Sequence, residues 1–131
     1  MTERREQVVV IGGGPGGYEA ALVAAGVTGV LAFNDLVAMG LISALGAAGV
    51  PVPAAMSVVG FDDIPFARYV TPPLTTAAVP VTELGEQAWQ GMWDLLSGGP
   101  TRRTVVLDPQ VVRRGSTGPA VGVPTGTTDG P

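Results

Sequence analysis

Apolar residues run unbroken through Val8–Ile11 and then break on glycines at 12–14 and 16–17, the pattern of a buried parallel strand entering a tight turn. An Ala-rich stretch over 18–25 predicts a short helix that Gly26 stops. A second buried strand is expected over 27–33. Asn34 and Asp35 then stand where an N-cap belongs, because a short side-chain oxygen there can accept an orphan N–H of the next helix. In the helix predicted over 36–48, Val37, Leu41, Ala44, Leu45 and Ala48 share one face, and Gly49 with Pro51 ends it. Residues 57–61 predict a third buried strand with Asp62-Asp63 at its carboxyl end. An irregular loop or short helix is expected over 64–73, and a fourth strand over 74–79. The clearest amphipathic pattern lies over 81–97, where Val81, Leu84, Ala88, Met92 and Leu95 form a stripe that Trp89 and Leu96 broaden. Short strands are expected at 104–107 and 111–112. From Gly115 the chain is mostly Gly, Pro, Thr and Ser, which predicts a disordered tail over 115–131. Strands alternating with helices predict an α/β fold: three layers, with a mostly parallel sheet flanked by helices.

The length, 131 residues, suits one small domain, and 46% hydrophobic residues suffice for a core. The chain has no Cys, no His and no Lys; all seven basic residues are Arg. That excludes a disulfide framework, a thiolate nucleophile, a Ser-His triad, an ordinary zinc site and Schiff-base chemistry. A formal charge of −4 argues against this chain gripping a nucleic acid backbone, which needs clustered cations. The paired arginines, Arg113-Arg114 among them, read as solvated surface. No charge falls between Asp35 and Asp62, but Pro51, Pro53 and the glycines interrupt the run, so a buried helix followed by a strand explains it better than a membrane span. The first residues do not resemble a secretory signal, and a soluble cytoplasmic protein is expected.

Two motifs carry candidate chemistry. Residues 12–17 satisfy G-x-G-x-x-G between a strand and a helix, and Asp35 lies at the end of the second strand, where a dinucleotide ribose would need an acid. On that alternative reading Gly12, Gly14, Gly17 and Asp35 bind a cofactor, FAD or NAD. The other candidates are Asn34 and Asp62, at the carboxyl ends of two predicted parallel strands. There an amide and a carboxylate can take up sugar hydroxyls or nucleobase nitrogens. A plain structural reading, in which both cap or turn the chain, stays open for them. For Asp35 and Asp63 the capping or turn role is the preferred one. Asp62-Asp63 does not suit a catalytic carboxylate pair, since neighbours at a strand end point in different directions.

Residues 8–25 resemble the FAD-binding start of dihydrolipoamide dehydrogenase and related flavoproteins, without that family's redox Cys pair. A second resemblance covers more of the chain. Ala32-Phe33-Asn34-Asp35, Ala38-Met39-Gly40, Ala44-Leu45 and 49–53 are followed by 57–63 (SVVGFDD), Pro72-Pro73-Leu74-Thr75-Thr76, Gly85, Ala88, Arg113 and Gly115-Ser116. Over 27–118 this ordered series resembles the C-terminal part of the effector-binding domain of LacI/GalR-family transcriptional regulators. Residues 8–13 and 17–26 can be fitted to the first strand and helix of that subdomain, although the segment that should join them to Val27 is absent.

The resemblance implies one subdomain of a periplasmic-binding-protein-like fold. Its parts would be a Rossmann-like start over 1–26, a sensor subdomain over 27–114 and the tail over 115–131. It implies a truncated effector-binding domain, not an enzyme, with no cofactor, in which Asn34 and Asp62 contact a sugar or nucleobase effector. It further implies a homodimer through the 36–48 helix and the 68–74 segment. Operator DNA would be held by an N-terminal headpiece that this chain does not carry. The helix of Trp89 and Trp93 would pack on an N-terminal subdomain also missing here, so it either folds onto the sheet or exposes an aromatic patch. A flavoprotein module, or a non-functional product of fusion or deletion, remains the alternative.

Overall fold

The computed structural model describes residues 8–11, 27–100 and 104–119. Five strands form one sheet: β1 Val8–Ile11, β2 Gly29–Ala32, β3 Ser57–Asp62, β4 Thr75–Ala78 and β5 Gln110–Val112. Their spatial order follows the chain, β1-β2-β3-β4-β5. The first four pair in parallel, and β5 closes the far edge antiparallel to β4. The expected α/β class with a mostly parallel sheet is thus observed.

The helix α1, Asp35–Ala47, connects β2 to β3 and packs on both. Its buried face is Ala38, Leu41, Ile42 and Leu45, meeting Val30, Ala32 and Val58 of the sheet, with Met56, Ala67 and Leu74 completing the core. The expected face is corrected by one residue step. Leu41 and Leu45 are buried as predicted, but Ala38 and Ile42 take the places assigned to Val37 and Ala48, and Ala48 is exposed. The buried face starts at Asp35, and Ala38, Leu41, Ile42 and Leu45 follow it at helical spacing, while Val37 packs half-buried against the core.

The helix α2, Val81–Leu96, forms over nearly the predicted span but buries none of its residues. Its apolar stripe is open: Trp89 is 59% and Trp93 56% exposed, their rings tilted against each other at 6.2 Å between centroids. Of the two outcomes expected for this helix, the described residues show the exposed patch. Among those residues one helical layer, α1, packs on the sheet. None of the described helices is long and apolar enough to cross a membrane.

Two boundaries are corrected. Residues 104–107 form no strand, since none of the described strands pairs with them, and Val105 and Val106 are exposed. The segment 115–118, expected to begin the tail, is instead bonded into the sheet. Gly115 N donates to Pro73 O at 2.8 Å, Gly118 N to Ser57 Oγ at 3.1 Å, and Val58 N to Ser116 O at 2.8 Å.

Ser116 is fully buried at the amino ends of β3 and β4, where the two strands part. Its Oγ donates to Val58 O at 2.6 Å and accepts from Thr75 N at 2.8 Å. Composition could not reveal this, because one hydroxyl and a few backbone groups do the work that apolar anchors usually do. Ser116→Ala is expected to cost about 2 kcal/mol, since it strands a buried N–H and a buried C=O. Urea unfolding measures this, and an unchanged midpoint would show that the plug is dispensable.

Candidate functional site

Asn34 is the N-cap of α1. Its backbone is extended (φ −153°, ψ 177°), and its Oδ1 accepts from Val37 N at 2.9 Å. That bond uses the side-chain oxygen and leaves the amide N–H groups of Asn34 without a partner among the described residues. Asp62 ends β3, where its backbone pairs with Ala78 of β4; it is exposed, and its carboxylate has no hydrogen-bonding or ionic partner among the described residues.

The pairing of β2 with β3 sets Gly29 opposite Ser57, Val30 opposite Val58 and Leu31 opposite Val59. Asn34 follows the end of β2 by two residues and Asp62 ends β3, so both lie at the carboxyl ends of adjacent parallel strands. Phe33, next after β2, and Phe61 of β3 are 64% and 40% exposed. The sequential strand order contains no reversal among the described strands, so the rim is a carboxyl edge and not a topological switch point.

Asp35 is where the structure departs most from expectation. It neither caps the helix nor stands free for a ribose. It is fully buried, its Oδ2 accepting from Ile64 N at 2.9 Å and its Oδ1 from Thr76 Oγ1 at 2.5 Å. One carboxylate thereby ties the start of α1 to the loop after β3 and to β4. This corrects both the capping role and the cofactor-binding role assigned to it, because no oxygen of a fully buried carboxylate can reach a dinucleotide. Gly12, Gly14 and Gly17 lie outside the described residues.

Asp62 and Asp63 have φ of 115° and 59°, the only positive φ values among described residues other than glycine. Asp63 Oδ1 accepts from Arg114 Nη2 at 2.6 Å, while Arg114 Nη1 donates to Leu74 O at 2.8 Å. The Arg114 side chain is 13% exposed, which corrects its reading as solvated surface. Neither Thr76 nor Arg114 was among the candidates. A polar residue inside a buried strand is the signal that could have pointed to Thr76. Nothing in the sequence marks Arg114 as different from Arg113.

The carboxyl ends of β2 and β3 thus carry an amide and a carboxylate, groups able to donate to and accept from hydroxyls. Among the described residues no acidic cluster able to hold a metal is found.

Comparison with known proteins places the chain in a family. The family model for a periplasmic binding protein-like domain matches residues 4–117. The chain is similar to the HTH-type transcriptional regulator MalR of Streptomyces coelicolor, at 39% identity over 79% of this chain and 30% of the regulator. Among solved structures it is similar to a LacI family transcriptional regulator from Arthrobacter sp. FB24 in complex with lactose (36% identity, TM-score 0.67, 76% of this chain and 38% of that one). A LacI family transcriptional regulator from Enterococcus faecalis V583 with bound ribose is similar at 33% identity and TM-score 0.71, over 78% of this chain and 39% of that one. The chain spans about a third of the length of the curated relatives it matches.

Proposed function

The chain belongs to the periplasmic-binding-protein-like domain family, and from that footing we propose that it is a partial effector-binding domain of a LacI-type regulator, taking a sugar-class effector at the rim of Asn34 and Asp62. One observation supports the reading: an amide and a carboxylate, both without side-chain donors or acceptors to engage them beyond the Asn34 cap bond, lie at the carboxyl ends of adjacent parallel strands. The amide N–H groups would donate to sugar oxygens, and the carboxylate would accept from sugar hydroxyls. Lactose in one similar structure and ribose in another support the ligand class. Asp62's backbone also supports it, because strained φ values collect at ligand clamps.

The same proposal includes a cytoplasmic protein without a cofactor or catalysis, acting as a homodimer through the 36–48 helix and the 68–74 segment. Leu36 and Tyr69, 63% and 76% exposed on those elements, support that surface. Contact with DNA would belong to a part of the regulator outside this chain. The flavoprotein alternative loses its acid with the burial of Asp35.

Calorimetric titration with ribose and lactose tests the reading. Asp62→Ala is expected to weaken binding by about tenfold to a hundredfold, the worth of a charge-assisted hydrogen bond, and Asn34→Ala by a smaller factor. Equal affinity in wild type and both variants, or no binding of either sugar by the wild type, would overturn it.

A further inference from the structure

Asp62 takes a rare conformation, φ 115°, at the last β3 position paired with β4, and its carboxylate has no partner among the described residues. Such a backbone persists only where its surroundings hold it. Beyond that pairing, the anchors fall on the next two residues. Ile64 N donates to Asp35 Oδ2 from one side, and Arg114 binds Asp63 from the other. Each anchor is itself braced against β4 or the residue before it. Asp35 Oδ1 accepts from Thr76 Oγ1; Arg114 Nη1 donates to Leu74 O, and Arg114 N donates to Thr75 Oγ1 at 2.9 Å.

We propose that Asp35 and Arg114 are positioning residues, a buried two-sided clamp that sets the backbone of residues 62–64 and so aims the Asp62 carboxylate along the rim. Neither touches the effector. Their ligand consequence rests on the sugar reading above; the clamp itself is a claim about the loop. Its physical logic is that a rigid guanidinium fork holds a carboxylate and a carbonyl in fixed relative positions, which a flexible lysine ammonium does less well. The last strand and the segment after it thereby reach back to the site, so that residue 114 acts on residue 62.

The test uses the full chain labelled with nitrogen-15, as wild type, Arg114→Gln, Arg114→Lys, Asp63→Asn and Asp35→Asn. The φ-sensitive backbone coupling is read at residues 62 and 63, and amide exchange at Ile64, with Val30 and Val58 as core references. In Arg114→Gln and Asp63→Asn the coupling at residue 62 should move toward that of an extended residue. In Asp35→Asn, whose neutral amide oxygen accepts more weakly than the carboxylate, the Ile64 amide should exchange about tenfold faster. Val30 and Val58 should lose less protection than Ile64 in each variant, and Arg114→Lys should rescue only in part. Unchanged coupling and exchange in these variants overturn the clamp whatever the wild type binds. Ribose and lactose titrations of the same samples separate the two claims. A loop that changes in the variants of a protein binding neither sugar defeats the sugar reading and leaves the clamp standing. If one variant does not fold, the others decide, since Asp63 lies on the half-exposed side of the clamp and Asp35 on the buried side.

Discussion

Gly60→Ala is expected to destabilise the domain by about 3 kcal/mol or more, at the upper end of what overpacking a core costs. The added methyl would fall inside van der Waals contact of Asp35 Oδ1, 2.9 Å from Leu74 Cδ2 and 3.2 Å from Asp35 Cα. The leucine tip can turn aside. Asp35 cannot, because both its carboxylate oxygens are held, and its Cα belongs to the first residue of α1. Relief therefore requires either the loss of two buried hydrogen bonds or a shift of the whole helix off β2 and β3, and close-packed interiors resist such shifts. The effect comes from space and not from backbone freedom, so Gly60→Ser should do no better. Thermal unfolding should show a midpoint lower by more than about 10 °C for a domain of this size. A variant within about 1 kcal/mol of wild type would mean that the helix start yields, and that Asp35 is a looser tie than its burial indicates.

Gly60 also shows what could be read from the chain. A glycine between Val59 and Phe61, inside an otherwise β-branched and aromatic run, signals a close approach by something. That the visitor is Asp35 is a tertiary fact, set by a helix that begins 25 residues earlier. The elements themselves were legible wherever their period was strong. α1, α2, β3 and β4 lie within two residues of their expected ends. Asn34 and Asp62 were legible as strand-end residues, and the parallel register follows once β2 and β3 are neighbours.

The polar cross-links were not legible. Asp35, Thr76, Arg114 and Ser116 all look like surface residues in composition, yet three are buried and Arg114 is largely so, each bonded to partners some 30 to 60 positions away. Local pattern carries no information about such pairs. The amphipathic stripe of α2 was legible, but which of its two expected outcomes holds was not: Val81, Leu84 and Met92 are exposed, because periodicity states which face is apolar and not what covers it.

The second large effect is Asp35→Ala. Removing the carboxylate leaves the Ile64 N–H and the Thr76 hydroxyl without their acceptor, the latter fully buried. Each stranded donor costs about 1–3 kcal/mol, so a loss of about 3–5 kcal/mol is expected. Asp35→Asn separates the acceptor from its charge. The amide oxygen can still take the Ile64 N–H while its NH2 faces Thr76, whose hydroxyl can turn to accept, so about 1–2 kcal/mol should be lost. Thr76→Val removes the donor instead and should cost a similar amount. The decisive protein is the double variant, Asp35→Ala with Thr76→Val. With hydroxyl and carboxylate both gone, one of the two stranded donors no longer exists, and the pair should be at least about 1 kcal/mol more stable than the sum of its parts. Urea unfolding of wild type, the two single variants and the double variant measures that coupling. Strict additivity would mean that Thr76 finds another partner and that the carboxylate ties the helix to Ile64 alone.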